Sequence, residues 1–106
     1  MTVARWLDER NGVVPPRLAA RVVEALGNDA AARGSDGVAA SVCVDAADAL
    51  LRDLLARPST GRDVALDLLT VDALATYAFE AAASNPTTLR EHARIAAARF
   101  ASAANA

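Results

Sequence analysis

The stretch TGRDVALDLLTVDALATYAFEAAA, residues 60–83, decides the fold. Thr60 with Asp63 three residues on is a capping-box pattern, and it predicts a helix that opens here and runs to about Ala83. At 100° per residue from Asp63, Val64, Leu68, Val71, Ala75, Phe79 and Ala82 gather between about 80° and 160°. That is the expected core face. Leu66, Leu69, Ala73 and Tyr77 form a second apolar set, between about 240° and 320°. A surface helix needs only one such face. Two faces make the helix central to a bundle, or leave the second face for another molecule. Leu66, Leu69, Ala73 and Tyr77 are therefore the candidate interface. Tyr77 leads that set, because amphipathic aromatics are enriched where proteins meet.

Asp72, Thr76 and Glu80 run between the two faces at i, i+4 and i+8. In a buried setting this polar line would be a ligand site or a shared acid pair, with Arg90, Arg94 or Arg99 as natural partners. Acidic side chains are seldom buried unless paired, so a solvated helix edge is the expectation.

The rest of the chain surrounds this helix with others. Upstream, a long helix is expected to start after Ser35 or Asp36 and to run to Arg57, closed by Pro58. Its seam is Cys43, Ala47, Leu50 and Leu54, and its polar stripe is Ser41, Asp45, Asp48 and Arg52. Asp48–Arg52 and Asp53–Arg57 are i,i+4 pairs in the favourable acid-first order. Val42-Cys43-Val44 has strand propensity, but its alanine-rich flanks keep it helical. Downstream, Asn85 caps a last helix with Pro86 at its first position. Leu89, Ala93, Ala96, Phe100 and Ala103 form its apolar stripe. Thr88 with Glu91 is a rival start.

Near the N-terminus, Thr2 caps a short helix with Val3, Trp6 and Leu7 on one face, and Asn11-Gly12 stops it. A second helix should run from Pro16 to Leu26. Leu18, Ala19, Val22, Val23 and Leu26 make its stripe, while Arg17, Arg21 and Glu24 face away. Residues 27–37 hold Gly27, Gly34 and Gly37 and read as the most mobile loop, with one helical turn at Ala30–Arg33.

Composition narrows the class. The chain has 106 residues, 54% apolar, with 11 basic and 13 acidic side chains and a net charge of −2. Twenty-eight of its apolar residues are alanine, which leaves few large side chains for a core. This balance excludes a disordered polyelectrolyte and gives no basic surface for general nucleic-acid binding. One cysteine excludes an intrachain disulfide. Charges break every apolar stretch well short of the roughly 18 residues a membrane span needs. Asp8 and Glu9 fall where a signal peptide needs an apolar segment. Abundant alanine and arginine without lysine fits a GC-rich bacterial genome, and the expected location is the cytoplasm.

Chemistry-bearing residues are sparse. His92 has leucine, not glutamate, three positions before it, so it lacks the Glu-x-x-His pattern of helical di-iron sites. Cys43 has no cationic neighbour in sequence to lower its thiol pKa. Trp6 is expected to fold the first helix back onto the bundle. Arg90, Arg94 and Arg99 are the densest basic set and read as a solvated face. No phosphate loop, dinucleotide fingerprint, zinc pattern or serine elbow occurs.

The sequence therefore predicts an all-α antiparallel bundle of four main helices plus a short N-terminal helix, one domain over 1–106. The first functional reading is a non-enzymatic protein–protein interaction or homodimerisation module, its partner a second copy or another protein. The second is a small-ligand-binding or accessory enzyme subunit using Asp72, Thr76 and Glu80. The third, a DNA-binding regulator, would need a basic recognition helix. No catalytic residue, metal ligand or cofactor is expected, nor any membrane or nucleic-acid partner.

Overall fold

The structure is a computed structural model. It describes residues 2–10, 14–34, 36–57 and 61–105, leaving aside the side chains of residues 36, 37 and 88. Among the described residues five α-helices follow in order: α1 Val3–Asp8, α2 Pro16–Leu26, α3 Asp36–Ala56, α4 Arg62–Ala82 and α5 Pro86–Ala104. They form an all-α bundle. The proposed stop at Asn11-Gly12, the caps at Ser35 and Thr60, the close at Pro58 and the side chain of Thr88 lie outside the described residues.

The frame is the α3–α4 hairpin. Both helices have 21 residues and run about 31 Å. Small side chains let them approach closely: Ala39, Ala40, Cys43 and Ala47 on α3 and Ala78, Ala81 and Ala82 on α4 are all buried. The seam of Cys43, Ala47, Leu50 and Leu54 lies inward as its spacing predicts. Val42-Cys43-Val44 is helical. α5 lies along α3 and more lightly along α4, with Ala96 and Ala103 buried. α2 packs against α4 and α3.

Local chemistry fixes the helix ends. Thr2 Oγ1 accepts from the Arg5 amide at 3.2 Å, capping α1. Pro16 opens α2, where a missing N–H is no loss. Asn85 Oδ1 accepts from the Thr87 amide at 3.1 Å, so Asn85 rather than Thr88 starts α5.

Three expectations change. The first is the core face of α4. Leu68 is 52% exposed and Phe79 42%, whereas Asp67, Thr70, Leu74, Tyr77, Ala78 and Ala81 are buried beside Ala82. The buried stripe is hidden in sequence because two of its members are polar. Thr70 Oγ1 donates to the Leu66 carbonyl at 2.8 Å, which satisfies the hydroxyl inside the helix. Asp67 is neutralised by two arginines, described below.

The second concerns polar stripes. Arg21 does not face away from the bundle; it reaches inward to Asp67. Asp48, a member of the polar stripe of α3, is buried. Arg99 is drawn off the solvated arginine face to Asp45 and Asp48.

The third is the loop at 27–37. A 3-10 turn occupies Gly27–Ala31, ahead of the expected Ala30–Arg33 turn. The backbone then ties α1 down: the Val3 amide donates to the Ala32 carbonyl at 3.0 Å, and Thr2 bridges to Arg33. The first N–H groups of a helix have no partner of their own, and this segment supplies one. Gly34 belongs here for a steric reason. At φ +155 a Cβ would sit 2.6 Å from Val38 Cγ2.

Candidate functional site

Among the described residues two carboxylates are buried, and both hold helices together. Asp67 on α4 accepts from Arg21 Nε of α2 at 2.7 Å and from Arg57 Nη2 at 2.6 Å. Asp48 on α3 accepts from Arg52 Nε at 3.2 Å and from Arg99 Nη2 of α5 at 2.8 Å. Arg99 Nη1 also donates to Asp45 at 2.6 Å. The hydrogen bond from Arg21, helped by Arg57, holds the Asp67 carboxyl below its usual range against the opposing effect of burial. Burial alone would raise Asp48, but Arg99 and Arg52 outweigh it and bring it down. A general acid or base needs a pKa near working pH and a proton within reach of substrate. Both carboxylates are instead locked ionised on guanidinium groups, so they clamp α2 and α5 to the central hairpin. Hydrophobic spacing does not reveal this network. The available signal was an aspartate set within the apolar run Val64–Val71.

The candidate interface set splits in the structure. Tyr77 is buried, its ring edge-on to Trp6 at 6.3 Å and 90°. Trp6 is 2% exposed and folds α1 onto the bundle, with the Arg10 guanidinium 3.7 Å over its ring. Ala73 and Leu66 are half-buried. Leu69 remains 56% exposed. Trp6 of α1 thus covers this face of α4 at Tyr77, which serves the core.

The polar line is solvated: Asp72, Thr76 and Glu80 are all exposed. Thr76 Oγ1 donates to the Asp72 carbonyl at 2.9 Å. Glu80 lies 3.9 Å from Arg10. Arg90, Arg94 and Arg99 do not serve as its partners: Arg94 pairs with Glu91, Arg99 with α3, and Arg90 is exposed.

No family model, curated protein or solved structure matches this chain. The surface must therefore be read from its own chemistry.

His92 is half-buried at a crevice between α3, α4 and α5, lined with Val44, Ala75, Phe79, Ala96 and Phe100. Its volume is about 10 Å³, no more than one water needs. Burial pushes the Cys43 thiol up to about 12, so it is protonated and inert at neutral pH. Among the described residues no group of three or more His, Cys, Asp or Glu could hold a metal ion, and no helix is long and apolar enough to cross a membrane.

What stands out on the surface is the outer side of α4. Leu68 and Leu69 are adjacent and both more than half exposed. Ala65 beside them is exposed, and Val64 and Leu66 are half-buried.

Proposed function

We propose that the protein is a non-enzymatic interaction module, a helical bundle that associates with a second copy of itself through the outer side of α4. The observation that carries this reading is the adjacent, exposed pair Leu68 and Leu69 on the central helix of a chain with few large apolar residues. Single exposed leucines are common on protein surfaces. Two together on the middle helix, next to exposed Ala65, make a continuous apolar strip that water solvates poorly. Fully burying one leucine contributes roughly 1.5–3 kcal/mol. Four partly exposed leucines across a two-fold interface therefore support a weak, reversible dimer. Composition supports a cytoplasmic protein of a bacterium with GC-rich coding.

The test is substitution on the strip. Leu69→Arg and Leu68→Arg should abolish assembly while helix content by circular dichroism stays unchanged, because neither side chain serves the core. Assembly that persists in both variants would overturn the reading.

A further inference from the structure

The outer side of α4 carries a second pattern besides its leucines. Arg62, Ala65, Leu69, Asp72 and Thr76 are all exposed and follow one another at spacings of three, four, three and four. The spacing is that of a/d positions in a two-helix coiled coil, with Ala65 and Leu69 as its apolar members. Its two charges flank Ala65 and Leu69. Arg62 and Asp72 make no side-chain ion pair among the described residues and lie about 15 Å apart along the axis at 1.5 Å per residue.

From this seam, and on the reading that the protein self-associates, we infer that two copies pair antiparallel along α4 about a two-fold axis at the level of Asp67, with Arg62 of each copy against Asp72 of the other. The same register sets Ala65 opposite Leu69 of the second copy. The small side chain leaves the hole that the large one fills. An isologous interface requires such self-complementarity, residue i meeting j and j meeting i. A parallel pairing in register would set Asp72 on Asp72 and Arg62 on Arg62, two repulsive contacts. The charges of the seam thus select the antiparallel orientation.

Charge reversal tests the orientation. Arg62→Asp places an acid in the first turn of α4, which suits the helix dipole, and arginine at position 72 is a good helix former. Neither change disturbs folding of the monomer. Each single reversal creates two like-charge contacts per dimer and should weaken dimerisation about tenfold or more. The double variant Arg62→Asp/Asp72→Arg should return to within about threefold of the native constant, since its charges are complementary again. Sedimentation equilibrium reads all four proteins. A native dimer that neither single reversal weakens, or that the double reversal does not restore, overturns the antiparallel register and leaves self-association standing. A native chain that stays monomeric overturns both.

Discussion

Arg21 and Asp67 lie 46 positions apart in the chain, and their side chains meet at 2.7 Å. The contact joins α2 to the N-terminal third of α4, and Arg57 closes the other carboxylate oxygen at 2.6 Å. α2 therefore reaches the central hairpin through a charge as well as through Val22 and Leu26, both buried.

Asp67→Ala should destabilise the bundle by about 2–3 kcal/mol, since it leaves two guanidiniums facing a void without a counter-charge. The cost stays below that of a fully buried pair because both arginines keep partial contact with water. Urea denaturation measures it. An unchanged midpoint would show that Asp67 is not a clamp.

Stability should also depend on pH in one direction. The Asp48 and Asp67 carboxyls titrate below their ordinary values in the folded protein. Their contribution is complete above the unfolded-state value, near pH 4, and is lost as pH falls through the lower folded values. Thermal midpoints should be level from about pH 5 to 7 and fall below about pH 4. The double variant Asp48→Asn/Asp67→Asn should be less stable at neutral pH and show a shallower acid limb. An acid limb of unchanged steepness in that variant would assign the effect to other carboxylates.

Trp6 makes a separate prediction. Its ring packs on Tyr77, but its Nε1 has no hydrogen-bond partner among the described residues. Trp6→Ala should cost about 3 kcal/mol or more through lost burial. Trp6→Phe should cost less than half of that, because it keeps an aromatic ring on Tyr77 and removes an unsatisfied donor. Equal losses in the two variants would mean that the indole N–H, rather than the ring, anchors α1.

The legible parts of the fold were those set by local rules. Thr2, Pro16 and Asn85-Pro86 mark helix starts where caps and proline geometry require them, and the inward face of α1 is the one its spacing predicts. The face of α4 was not legible, for two reasons. Hydrophobic spacing cannot register Asp67 and Thr70 as inward residues when their satisfaction comes from Arg21, Arg57 and a backbone carbonyl. It also undervalues Ala78 and Ala81, which are buried because close helix packing favours small side chains. Of the candidate interface, Leu69 keeps its place at the surface. Tyr77 moves inside because Trp6, far away in sequence, comes to lie against it.

Self-association through α4 is read most directly from mass against concentration. Light scattering on a sizing column, from low micromolar to millimolar protein, should show a monomer that becomes a dimer, with Leu69→Arg monomeric throughout. A native protein that remains monomeric across the range, or a Leu69→Arg variant that dimerises as well as the native chain, would contradict the account.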